Sequence, residues 1–178
     1  PIFLVPGNHD SIILTRSLTE NKNIFYENFI VNGNWVIFMF NTKKENSLEG
    51  FLYQQEIFNL EQLLNVYPEK NFLIFMHHHL ISINSKWMDS MIIENSEKLI
   101  QLISKHNNIK CISCGHVHQE FYNNIGNIDF YSTPSTCYQF MPKASSFALD
   151  KDSDPGFRLF NLKDDGSLIS KVIRINIE

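Results

Sequence analysis

Three short apolar runs in this chain each end at a histidine-bearing turn, and that repeated arrangement limits the folds open to the sequence. Residues 2–5 lead into Gly7-Asn8-His9-Asp10, residues 72–76 into His77-His78-His79, and residues 109–113 into Gly115-His116-Val117-His118. Six of the seven histidines lie in these clusters, a concentration that scattered surface residues would not produce. Short runs of branched and aromatic residues bounded by turn formers read as buried strands. If such strands lie side by side in parallel, their carboxyl ends open on one rim, where open α/β sheets place ligand sites.

The intervening segments supply the helices that parallel strands need. A short helix is predicted over 11–19 and a buried strand over 35–41. Over 53–67, Ile57, Leu60, Leu63 and Leu64 recur at three- and four-residue steps, which places them on one helical face, and Pro68 follows. A second amphipathic helix is predicted over 91–106. Beyond residue 116 the pattern turns to short alternating segments around Phe121 and over 128–131, 157–162 and 168–175. Asp164-Asp165-Gly166-Ser167 reads as a hairpin turn between the last two. The expected architecture is a single α/β unit of 178 residues, helices against a mixed or layered sheet, ending in an antiparallel segment.

Composition narrows the partners. A net charge of -4 without a basic run argues against nucleic-acid backbone binding, which needs clustered lysine and arginine. No apolar run approaches the roughly 20 residues of a membrane helix. Cys111, Cys114 and Cys137 are too few, and odd in number, for a disulfide framework, so reduced thiols in the cytoplasm are expected. The chain opens on Pro1-Ile2-Phe3-Leu4-Val5 as a strand already under way, and the expectation is that residues 1–178 are the carboxy-terminal two-thirds of a larger domain.

Imidazole nitrogen and amide oxygen are borderline donors suited to Zn, Fe, Mn or Ni, so a pocket of Asn and several His points to a transition metal. Gly7-Asn8-His9-Asp10, the histidine run after a strand, and Gly115-His116-Val117-His118 resemble, in order and spacing, the last three motifs of the calcineurin-like metallophosphoesterases. The resemblance implies that Asn8, His77 and His116 bind one metal and His118 the other. It implies that Asn8, His9 and His118 contact the phosphate, that His9 donates a proton to the leaving oxygen, and that Asp10 orients His9. The implied fold is a layered β-sandwich flanked by helices (α/β/β/α), here lacking its first strands and helices. Leu80 departs from the proline that many members carry after the histidines.

Ser85-Lys86-Trp87-Met88-Asp89-Ser90, Ser132-Thr133-Pro134-Ser135-Thr136-Cys137, and Phe147-Ala148-Leu149-Asp150 leading to Pro155-Gly156-Phe157-Arg158 resemble the cyclic-AMP phosphodiesterase branch. That implies hydrolysis of a small cyclic nucleotide, cyclic AMP to AMP, at two divalent metals, Fe or Mn with Zn or Co as substitutes. The family's opening motifs, Asp-x-His and Gly-Asp-x-x-Asp, do not occur here. They supply the carboxylate that holds two cations together, so this chain alone is expected to bind one metal and to be inactive or weak. The alternatives are a phosphoesterase acting on nucleotide pyrophosphates or phosphomonoesters, and a non-catalytic remnant. Self-association through an exposed sheet edge is a further expectation.

Other features read as structural. Cys111 and Cys114 form C-x-x-C, but Cys111 lies inside a strand, whereas structural zinc sites take that motif from a turn. Asp150, Asp152 and Asp154 resemble a calcium loop with Pro155 where glycine is needed. Trp87 and Asp89 are placed at the substrate mouth or against the core, and Phe121, Tyr122, Phe130 and Tyr131 in sheet packing.

Overall fold

The computed structural model describes residues 1–176. In chain order the elements begin with β1 (Ile2–Phe3), α1 (Ile12–Ser17), β2 (Ile24–Phe25), β3 (Phe29–Asn32), β4 (Trp35–Met39), α2 (Gln54–Val66), β5 (Asn71–Met76) and α3 (Ser96–Ile103). The second half adds β6 (Ile109–Cys114), β7 (Phe121–Ile125), β8 (Ile128–Ser132), β9 (Gln139–Phe140), β10 (Leu149–Asp150), β11 (Gly156–Leu162) and β12 (Leu168–Arg174). A six-stranded sheet in the order β3-β4-β5-β6-β8-β7 forms the centre. Its four middle strands run parallel, and β3 and β7 add antiparallel edges.

Alternation along each strand sorts the core into two faces. Val36, Phe38, Phe72, Ile74, Ile112 and Phe130 face the helices and pack with Leu60 and Leu64 of α2 and Leu99, Leu102 and Ile103 of α3. Phe38 and Phe72 are fully buried, each worth roughly 1.5–3 kcal/mol of transfer free energy. On the other face Trp35, Leu73 and Cys111 pack under Phe160, Leu162 and Leu168 of the β11–β12 hairpin, and the Trp35 indole N–H donates to the Lys163 carbonyl at 2.8 Å. Gly166 closes that hairpin with φ +84°, the backbone the Asp-Gly pair predicts. Among the described residues no helix is long and apolar enough to cross a membrane.

Several expectations are corrected. β1 does not join the central sheet but pairs in parallel with β2, a strand the sequence pattern did not reveal. The second layer of the expected sandwich is therefore present as two separate two-stranded pieces, β1–β2 and β11–β12. The helix predicted over 91–106 begins only at Ser96. The Asn95 side chain bonds both the N–H and the carbonyl of Leu52, and Ile93 N–H donates to the His79 carbonyl, which holds 92–95 out of the helix.

A histidine cluster at the rim of the parallel strands

The register of β5 on β6 pairs Met76 with Cys114, so His77 and Gly115 leave the sheet at the same level and the two histidine-bearing turns begin side by side. The turn after β6 is sharp. His116 and His118 both adopt left-handed backbone, φ 60° and 48°, a region that costs a non-glycine residue energy and recurs at functional sites. The Val117 N–H donating to the Gly115 carbonyl at 2.6 Å tightens it, and the Val117 side chain, fully buried with Ile83 and Met88, anchors it.

The loop carrying Asn8 and His9 reaches this rim from β1. Asp10 Oδ2 accepts from the Gly7 N–H at 2.7 Å and Asp10 N–H donates to the Gly7 carbonyl at 3.1 Å, closing a compact turn. Among the described residues the Asp10 carboxylate bonds the loop backbone and makes no hydrogen bond to the His9 ring. Lys43, itself buried, places its ammonium 3.4 Å from the Asn8 carbonyl. Gly7 is required for the approach: a β-carbon there would stand 2.7 Å from His77 Cε1.

The outcome is a tight group of donor atoms. Asn8 Oδ1 lies 2.9 Å from His77 Nε2, which lies 3.2 Å from His116 Nδ1. His77, His78 and His116 bring one ring nitrogen each within 4.8 Å of one another. His78, which the sequence placed in the run but not at the site, is anchored by Nδ1 on the Thr42 hydroxyl at 2.9 Å and leaves Nε2 buried without a partner. His116 Nε2 is likewise unpartnered. Burial, and then the neighbouring imidazoles, push the His77 pKa down to about 3 and that of His116 to about 2. His78 falls to about 3 for the same causes. These rings are neutral at physiological pH, with lone pairs crowded together and too few hydrogens between them to satisfy every nitrogen, an arrangement that suits a cation.

His118 and His9 line the same cleft as Asn8, His77 and His116. His118 Nδ1 lies 2.9 Å from the Tyr138 carbonyl, which can only accept, so Nδ1 carries the hydrogen and Nε2 keeps its lone pair. His9 is exposed at the cleft. Trp87 lines the cleft as well, whereas Asp89 turns away: its carboxylate takes the Ser82 hydroxyl at 2.6 Å and the Ile83 N–H at 2.9 Å and stands 3.4 Å from His79.

The remaining motifs support this rim. Arg158 Nε and Nη2 donate to the Ser132 carbonyl at 3.2 and 2.9 Å, Nη1 reaches the Ser170 hydroxyl at 2.6 Å, and the guanidinium lies 4.7 Å over the Tyr131 ring. Gln139 closes the 133–137 loop by bonding both the N–H and the carbonyl of Ser135. Cys111 packs under the hairpin and Cys114 on the helix side, so the C-x-x-C thiols sit in different cores and share no ion.

Known proteins bear on this geometry. A family model described as calcineurin-like phosphoesterase matches residues 1–120. The chain is 32% identical over 173 residues to a 3',5'-cyclic-nucleotide phosphodiesterase of Nostoc sp., covering 97% of this chain and 65% of the relative. It is 35% identical over 174 residues to a 3',5'-cyclic adenosine monophosphate phosphodiesterase of Vibrio vulnificus, covering 97% and 63%. It is 31% identical over 176 residues to the enzyme of that name in Pseudomonas aeruginosa, covering 99% and 64%. The chain thus spans just under two thirds of the length of these relatives. A dimetal phosphatase from Danio rerio shares the fold, with a TM-score of 0.61 and 13% identity over 96% of this chain and 71% of that one.

Proposed function

The chain belongs to the calcineurin-like phosphoesterase family, and from that premise we propose that the protein hydrolyses 3',5'-cyclic nucleotides, cyclic AMP to AMP, at the cleft built around Asn8, His77 and His116. The observation that carries the reading is the convergence of Asn8 Oδ1, His77 Nε2 and His116 Nδ1 from three separate turns. The names of the relatives in Nostoc, Vibrio and Pseudomonas favour a cyclic nucleotide as substrate.

Calcineurin-like phosphoesterases use a pair of divalent metal ions, and the donor set here fits one of them: neutral imidazoles and an amide oxygen, with orphaned ring nitrogens beside them. Such ions, when bound, neutralise charge on the phosphoryl oxygens and lower the pKa of water. Asn8, His77 and His116 would hold the first ion, the unpartnered His78 Nε2 offers a further donor to it, and His118 would serve the second. Iron or manganese is the proposed metal, and zinc or cobalt suits the same donors. His9, exposed at the cleft, protonates the departing 3' oxygen, and Asn8, His9 and His118 contact the phosphate.

No carboxylate of the described residues lines this cleft. Two adjacent cations need anionic ligands between them, so the chain by itself holds one ion and turns over weakly or not at all. Its free thiols suit the cytoplasm, and the open edges of β1–β2 and β11–β12 favour self-association. The test is metal titration by calorimetry together with hydrolysis of cyclic AMP and of a simple phosphomonoester, on this chain and on any longer natural product that carries it. Uptake of two ions with full turnover by this chain would overturn the single-ion reading. Hydrolysis of the monoester but not of cyclic AMP by the longer product would replace the substrate.

A further inference from the structure

The carboxyl end of β4 brings no histidine to the rim, yet the turn that follows it touches both of the neighbouring donor loops. The Thr42 hydroxyl meets His78 Nδ1 at 2.9 Å, and the Lys43 ammonium stands 3.4 Å from the Asn8 carbonyl, 35 residues away in the chain. That turn is itself fixed. Lys43 N–H donates to Asn41 Oδ1 at 3.1 Å, Phe51 N–H donates to the Thr42 carbonyl at 3.0 Å, and Lys43 forms an antiparallel bridge with Gly50. The Lys43 side chain therefore starts from a defined point.

That side chain is only 6% exposed, and a buried ammonium needs acceptors for its hydrogens. Among the described residues it has the Asn8 carbonyl and, at 3.7 Å, the Glu45 carboxylate. Glu45 is 69% exposed, so water screens that pair, and the contact that fixes the ammonium is the one to Asn8.

The Asn8 carbonyl belongs to the planar peptide unit between residues 8 and 9. The unit on the other side of the Asn8 Cα, between residues 7 and 8, is held by the Asp10 N–H on the Gly7 carbonyl at 3.1 Å. One clamp comes from within the loop and the other from the distant turn after β4. Together they set the direction of the Asn8 Cα–Cβ bond, and with it the amide oxygen that lies 2.9 Å from His77 Nε2. Without Lys43 the second peptide unit is free to turn. We propose that Lys43 is a positioning residue for the metal site: its ammonium fixes the peptide unit after Asn8 and so holds the Asn8 amide oxygen toward the ion. It rests on the reading of Asn8 as a ligand of the first ion. A cation near an ion site also repels the ion, so charge alone would make binding tighter once Lys43 is neutral. Positioning makes it weaker, and the sign separates the two.

The test titrates Mn²⁺ and Co²⁺ by calorimetry into the full chain and into its Lys43→Met, Asn8→Ala and doubly substituted variants, and compares the visible absorption of the Co²⁺ forms, which reports ligand geometry. Lys43→Met keeps the apolar stem; it should bind about tenfold more weakly, and its Co²⁺ spectrum should move toward that of Asn8→Ala. In the Asn8→Ala background Lys43→Met should lower affinity no further, because effects transmitted through one contact do not add. Should Lys43→Met fail to fold, Lys43→Gln, whose amide stops one bond short of the ammonium position, carries the same comparison. Parent-like or tighter binding by the neutral variant, or a second loss of about tenfold in the Asn8→Ala background, would overturn the proposal. Either result beside a weakened Asn8→Ala leaves the ligand reading intact. Parent-like binding by Asn8→Ala overturns that reading and this proposal with it.

Discussion

Gly7 lies so close to His77 that a β-carbon on residue 7 would come within 2.7–2.9 Å of three atoms of the imidazole ring. The obstructed atoms belong to the end of a side chain that can rotate away, so Gly7→Ala should displace the ring rather than unfold the chain. The expected result is at least a tenfold loss of Mn²⁺ or Zn²⁺ affinity by calorimetry, with stability within about 1 kcal/mol of the parent in urea. Unchanged affinity would show that the ring position seen here is not the one that binds metal.

Asn8→Ala, His77→Ala and His116→Ala should each lower affinity for the same ions by more than about tenfold, the scale found even for residues that only orient a ligand. His106→Ala, at the one histidine outside the three clusters, serves as the control and should bind like the parent. His78→Gln separates two roles. If His78 Nε2 is a ligand, the loss matches that of His77→Ala; if it only fills space, affinity stays within a few fold.

Arg158 supports the loop that follows β8 through three hydrogen bonds and the Tyr131 ring. Arg158→Lys cannot reproduce the planar fork, and the Ser132 carbonyl loses its paired donors. A destabilisation of about 1–3 kcal/mol is expected from urea midpoints, with accelerated proteolysis around 133–137. Parent-like behaviour in both assays would mean that Gln139 alone holds the loop.

Burial raises the thiol pKa of Cys111 and of Cys114, while Cys137 is exposed. At pH 8 a maleimide should modify one thiol per folded chain and all three after denaturation, read by intact mass. Rapid labelling of a second thiol in the native chain would show that the sheet opens around β6.

The legible parts of the sequence were those where one local pattern decides the outcome. The helical spacing of Leu60 and Leu64, the apolar runs of β5 and β6, and the Asp-Gly of the last hairpin all appear as expected. Asn8, His9, His77, His116 and His118, the residues to which the family resemblance points, line one cleft. What stayed hidden depends on partners distant in the chain. The two-residue strands β1, β2, β9 and β10 have no period of their own, the orientation of His118 comes from a backbone carbonyl that no side-chain pattern encodes, and the late start of α3 follows from Asn95 bonding Leu52. The sequence does not single out His78 beside His77, because nothing in three identical residues says which ring the Thr42 hydroxyl will hold.

The level register that sets Met76 beside Cys114 has a kinetic consequence. Asn8 and His77 stand 69 residues apart in the chain and His77 and His116 stand 39 apart, so no nascent helix or local collapse can bring the trio together. Ion capture must wait for the slow, non-local step in which β5 finds β6. Metal supplied at the start of refolding therefore leaves the rate of chain collapse untouched and acts afterwards, by slowing escape from the finished state.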